Sequence, residues 1–117
     1  MIESILKGEI YYASLDPKIG SEQGGTRPVL IIQNDIGNQY SPTTIVAALT
    51  TNIHNKHPLT THMFVSARLG LKSDSIVLLE QVRTIDRIRL LSKIAYLSLD
   101  EMNIANEKLL ISLGINL

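Results

Sequence analysis

Apolar and polar positions along this chain follow two different rhythms. Through the first two-thirds the rhythm is that of strands. Glu9–Ser14 is rich in β-formers and is stopped by Asp16 and Pro17. Residues 28–32 are an unbroken apolar run of strand length, and residues 43–51 predict a third strand. His62–Val65 reads as a short strand, residues 75–85 as a long one and residues 92–97 as the last. The connections are polar or glycine-rich. Residues 18–27 form a loop with glycines at 20, 24 and 25, residues 34–38 have turn chemistry, and residues 52–58 are a polar loop. Residues 66–71 are expected to make one helical turn.

The tail changes period. Met102, Ala105, Leu109 and Leu113 recur at the spacing of an amphipathic helix. Ser98 and Glu101 fit a capping box at its start, and Gly114 supplies a stop. Five to seven short strands and one or two helices place the chain in the α+β class. The expected architecture is a small, strongly twisted antiparallel sheet or barrel backed by a C-terminal helix.

Composition narrows the function classes. At 117 residues the chain is expected to be a single domain, residues 1–117. Its 44% hydrophobic content excludes a disordered chain. The absence of cysteine excludes a disulfide scaffold, a thiolate zinc site and a cysteine nucleophile. No apolar run has the length of a membrane span. The first seven residues lack a basic segment followed by an apolar core, so a cytoplasmic protein is expected.

The formal net charge is zero, which argues against histone-like nucleic-acid binding, but the charges are uneven. No acid lies between Asp35 and Asp74, whereas Lys56, Arg68 and Lys72 do. Arg83, Arg87, Arg89 and Lys93 form a second basic group opposed by Asp86 alone. Without a motif such a pattern reads first as ordinary solvated surface.

The most informative segment is Gly20-Ser21-Glu22-Gln23-Gly24-Gly25-Thr26-Arg27-Pro28. Adjacent glycines allow a ligand to approach the backbone closely. Pro28 biases Arg27 to an extended conformation, and a planar, permanently charged fork held in this way suits a phosphate. On spacing alone the loop reads equally as a phosphate site or as a hairpin with an incidental arginine. Thr50 and Thr51 end the third strand, where hydroxyls could donate to phosphate oxygens; threonine is also simply common in strands. His54, His57 and His62 do not have the spacing of a metal site, and general acid–base work suits them better. Five aromatic residues are too few for an extensive base-stacking platform.

The block from Gly20 to Leu30, with Gly8-Glu9-Ile10-Tyr11 before it and Leu78-Leu79-Glu80-Gln81-Val82-Arg83-Thr84-Ile85-Asp86 after it, resembles the MazF/PemK/Kid toxins of bacterial type II toxin–antitoxin systems, closest to the MazF type of Firmicutes. Ile32-Gln33-Asn34-Asp35 and Ala47-Ala48-Leu49-Thr50 also match, and the resemblance runs from about Lys7 to Leu113. It implies an SH3-like barrel of the CcdB/PemK kind with a C-terminal helix. It also implies a homodimer and a sequence-specific endoribonuclease that needs neither metal nor cofactor. The implied substrate is single-stranded RNA, chiefly mRNA, and the implied partner is a cognate MazE-like antitoxin. The family's catalytic arginine and threonine match Arg27 and Thr50. Ser21, Glu22, Gln23, Thr51 and Gln81 fall at positions expected to contact RNA, and Glu22 is a candidate general base. Residues 52–61 are less family-like. Two rivals stay open here: a non-enzymatic toxin that inhibits a topoisomerase, and an inactive paralogue that binds RNA or antitoxin.

Overall fold

The structure is a computed structural model, and it describes residues 4–17, 19–53 and 59–116. The chain runs through β1 (Glu9–Ser14), β2 (Thr26–Ile31), a short helix α1 (Asp35–Tyr40), β3 (Thr43–Thr50), β4 (His62–Val65), β5 (Ser75–Asp86), a 3₁₀ turn (Arg87–Arg89), β6 (Leu90–Tyr96) and α2 (Leu99–Leu113). The six strands form one antiparallel sheet in the order β4-β5-β3-β2-β1-β6. The expected α+β class and terminal helix are both present.

The unbroken apolar runs have a direct cause, because the central strands are buried on both faces. Ile10, Leu30, Ala47 and Leu49 point to one side, where Met63, Val65, Val77 and Leu79 join Met102 and Ala105 of α2. The alternate residues Tyr11, Ala13, Val29, Ile31, Val46 and Ala48 pack on the other side with Ile5, Leu15, Ile85 and Leu90. A strand with one solvated face would have shown alternation instead.

α2 starts where the sequence places it. Ser98 Oγ accepts the Glu101 N–H at 3.1 Å, and Glu101 Oε1 accepts the Ser98 N–H at 2.9 Å. Gly114 closes the helix at a φ of 70°, a left-handed conformation that glycine adopts without strain.

Four local expectations are corrected. Residues 34–38 are more than a turn: Asn34 caps α1 by accepting the Gly37 N–H at 2.7 Å, so the same asparagine chemistry starts a helix. Residues 66–71 make no helical turn. Arg68 and Leu71 exchange two backbone hydrogen bonds of 2.9 Å, closing a tight hairpin over Leu69 and Gly70. Gly70 has a φ of 92°, and a Cβ there would fall 1.4 Å from the Ile94 carbonyl oxygen. The hairpin can therefore press against β6 only through glycine. The last strand begins at Leu90 rather than at residue 92, and β2 begins two residues before Pro28.

Arg68 rivets this contact. Its guanidinium makes two 2.7 Å hydrogen bonds to the Glu101 carboxylate and reaches the Tyr96 carbonyl. The hairpin, the edge strand β6 and the first turn of α2 are thus tied together. The guanidinium beside Glu101 holds its carboxyl down at about 2 from an ordinary 4.5. A depressed folded-state pKa stabilises fully above pH 4.5, and the contribution is lost as the pH falls through about 2. Glu101→Gln should therefore lower stability by about 1 kcal/mol near neutral pH, since the pair is partly solvated. Thermal melts should show the gap between the two proteins closing as the pH falls from 4.5 toward 2.

Candidate functional site

The loop between β1 and β2 is built from its base upward. Arg83 Nη1 donates to the Leu15 carbonyl at 2.9 Å, and Arg89 Nη1 donates to the carbonyls of Ser14 at 3.1 Å and Asp16 at 2.6 Å. Two members of the second basic group thus clamp the loop's first stem. Lys93 pairs with Glu9 at 2.9 Å and Arg68 with Glu101, so much of the apparent basic surface serves internal contacts.

Within the loop the two acids face backbone amides. Asp16 Oδ1 accepts the Gly25 N–H at 2.7 Å, and Glu22 Oε1 accepts the Ile19 N–H at 2.8 Å. Gly25 has a φ of 73°, which a side chain would strain. Gln81 on β5 accepts the Gln23 N–H at 2.9 Å and fastens the loop to the sheet.

Arg27 sits at this fixed corner, half-buried. Its Nε donates to the Gly24 carbonyl at 2.7 Å. Its Nη1 donates to Gln23 Oε1 and lies 3.5 Å from the Leu49 carbonyl, one residue before Thr50. All three acceptors are neutral. Among the described residues no carboxylate pairs with Arg27. The guanidinium is therefore oriented while its charge stays available to an anion.

Thr50 ends β3 opposite Ile76 of β5. Its Oγ1 accepts the Asn52 N–H at 3.2 Å, which leaves its hydroxyl hydrogen free to donate outward. Thr51 follows it, exposed, just beyond the strand.

Three clefts meet around Gln23. One of about 340 Å³ is framed by Asp16, the 20–25 loop and Arg27. A second, also about 340 Å³, is lined by Thr50, Asn52, Leu59, His62, Ile76, Leu78 and Glu80. A third of about 360 Å³ lies between Ser21, Glu22, Val46, Ala48, Val82 and Arg83. Gln23 lines all three, while Gln81 and Glu80 line the second and third. The structure thus brings Ser21, Glu22, Gln23, Arg27, Thr50 and Gln81 to one continuous surface, with Thr51 adjoining it along the chain.

Two features of this surface were not read from the sequence. The first is a bulge. Ala47 pairs with Val82 and Leu49 with Val77, so β5 sets residues 78–81 against Ala48 alone. Such a bulge re-aims side chains, and here it carries Glu80 and Gln81. The polar pair inside an apolar strand was its sequence signal. The second is the pair His62–Glu80. His62 Nδ1 accepts the Leu59 N–H at 3.2 Å, so the ring proton is on Nε2, which donates to Glu80 Oε2 at 3.1 Å. Thr61 Oγ1 donates to Glu80 Oε1 at 2.9 Å.

His54 and His57 lie outside the described residues, as does Lys56. Among the described residues no three His, Cys, Asp or Glu side chains converge as metal ligands would. None of the described helices is long and apolar enough to cross a membrane.

Comparison with known proteins finds relatives along nearly the whole chain. The family of PemK-like, MazF-like toxins of type II toxin–antitoxin systems matches residues 6–113. "Endoribonuclease EndoA" of Bacillus subtilis (strain 168) is 53% identical over 112 residues, covering 95% of this chain and 96% of that protein. Mycobacterium tuberculosis toxin MazF-mt6 superposes with a TM-score of 0.78 at 26% identity, over 93% of this chain and 99% of that one. An endoribonuclease in complex with its cognate antitoxin, from a Mycobacterial species, has the same fold at 21% identity and a TM-score of 0.79, over 97% of this chain and 99% of that one.

Proposed function

This chain belongs to the PemK-like, MazF-like toxins of type II toxin–antitoxin systems, and from that membership we propose that it is a cytoplasmic toxin that cuts single-stranded RNA, chiefly mRNA, sequence-specifically and without a metal ion. The observation that carries the reading is Arg27. It is a fixed, unneutralised guanidinium whose Nη1 lies 3.5 Å from the carbonyl of the residue before Thr50.

RNA brings its own nucleophile, the 2′-OH. The 2′ oxygen attacks the adjacent phosphorus and gives up its proton to a base. The bond from phosphorus to the 5′ oxygen breaks, and that oxygen takes up a proton. The products are a 2′,3′-cyclic phosphate and a 5′-OH. Negative charge builds on the non-bridging oxygens in the transition state. Arg27 stabilises it with a planar fork, and Thr50 adds a hydroxyl donor. One such preorganised donor is worth about 10²–10³ in rate. Arginine supplies the positive charge that a metal ion would otherwise bring. Glu22 is the candidate base in the loop, and its Oε1 accepts the Ile19 N–H. Ser21, Gln23, Gln81 and Thr51 provide neutral donors and acceptors along the RNA path.

A homodimer lengthens this path, since each chain offers only short clefts, and two-fold dimers are the commonest assemblies. A MazE-like antitoxin with an acidic C-terminal tail would compete for the same surface by mimicking phosphate charge. Light scattering should give twice the 13.0 kDa chain mass, and a tail peptide should displace RNA. A monomer mass, or simultaneous binding of RNA and peptide, would contradict these two points.

The direct test is cleavage of a long single-stranded RNA in excess EDTA, with mass analysis of the ends. Cleavage with cyclic phosphate ends is expected. Arg27→Lys, which keeps the charge and loses the fork, should slow it by about 10² or more. Activity that appears only on adding Mg²⁺ or Mn²⁺, or a wild-type rate for Arg27→Lys, would overturn the assignment.

A further inference from the structure

The cleft beside Thr50 has a composition that phosphate binding does not explain. Its floor is apolar: Ile76 and Leu78 are buried, and Leu59 forms the side wall. Its rim holds a carboxylate, Glu80, where an RNA phosphate would be repelled. An apolar slot with a few converging polar groups on its edge suits a flat heterocycle.

Glu80 is also held in place. It stands in the β5 bulge, where it lines both this cleft and the one beyond Gln23. Thr61 donates to one of its oxygens and His62 to the other. His62 is itself fixed in one tautomer by the Leu59 N–H, and its side chain is only 9% exposed. Thr60, on the same turn, gives its carbonyl to Lys108 of α2 at 3.0 Å. The whole turn 59–62 is therefore tied to β5 and α2. Each carboxylate oxygen has two lone pairs, so Glu80 keeps acceptor capacity after both internal bonds are made.

Resting on the endoribonuclease reading above, we propose that this cleft takes the nucleobase next to the scissile phosphate, that Glu80 reads its hydrogen-bonding edge, and that His62 and Thr61 are positioning residues that aim Glu80. A carboxylate accepts from N–H donors. Adenine, cytosine and guanine each offer an exocyclic amino group to it. Uracil offers one N–H flanked by two carbonyl oxygens, which a carboxylate repels. The cleft thus selects an amino-bearing base over uracil at one position of the cleaved motif.

The test maps cleavage ends on a randomised single-stranded RNA pool, using wild type, Glu80→Gln, His62→Ala and His62→Gln, each checked for a cooperative melt. Wild type should disfavour uracil at one position adjoining the cut. Glu80→Gln, whose amide both donates and accepts, should weaken that discrimination by about tenfold or more. His62→Ala should weaken it in the same position, and His62→Gln, which restores a donor to Glu80, should recover it. A purely structural role for His62 would lower cutting at all sequences alike. Should Glu80→Gln fail to fold, Thr61→Val removes one aiming bond and is expected to reproduce the positional loss. An unchanged motif in these variants, with active wild type, would overturn the base-reading proposal and leave the nuclease reading standing. No cutting by wild type would overturn the nuclease reading itself.

Discussion

The site depends on one arrangement: a guanidinium aimed by neutral oxygens. The acceptors of Arg27 are two backbone carbonyls and one amide oxygen. A carboxylate in any of these places would orient the fork equally well and cancel its field. Neutral acceptors separate the two jobs, since orientation comes from hydrogen-bond geometry and the charge remains for a phosphate. The cost falls on the loop, which must present the Gly24 carbonyl and the Gln23 amide at one spot. Gly25 at positive φ, the Asp16 and Glu22 caps on backbone amides, and the Gln81 bond meet that demand. Arg83 and Arg89 brace the stem below. Part of what looks like a basic surface in the sequence is therefore scaffolding for the half-buried Arg27 guanidinium.

The sheet supplies the second half of the arrangement. Burial on both faces leaves the central strands little freedom to shift register, because the side chains of both faces are packed into apolar clusters that a slip would have to rebuild. The end of β3 is thereby fixed, and with it Thr50 and the Leu49 carbonyl. The β5 bulge breaks the ladder only at residues 78–81, where Glu80 and Gln81 turn into the clefts. At the far side Gly70 and Arg68 join the hairpin to β6, so the sheet curls toward closure rather than lying open.

Elements governed by local chemistry were legible in the sequence. Ser98 and Glu101 lie three residues apart, and their capping box could be read without knowing the fold. Glycine in a left-handed turn is similarly local, and so is the unbroken apolar run of residues 28–32 that marks a strand. The 66–71 segment misled because its decisive contact, Gly70 against Ile94, joins parts of the chain that only the curled sheet brings together. The site followed the same division. Arg27 and Thr50 were proposed through motif resemblance, whereas the contacts that aim Arg27 were not read from the sequence. Leu49 is 22 residues away from it, and the Gln23–Gln81 bond spans 58. Glu80 was invisible as a site residue for the same reason, since its role depends on a bulge and on a histidine 18 residues earlier.

The central claim is that Arg27 works because its aiming partners carry no charge. Gln23→Glu keeps the size and the hydrogen bond and adds a negative charge beside the guanidinium. The decisive measurement is its single-turnover cleavage rate on a single-stranded RNA at saturating protein, in EDTA. The account predicts a fall of about tenfold or more, as expected when a transition-state charge loses part of its stabilisation. A rate equal to that of the wild type would contradict it.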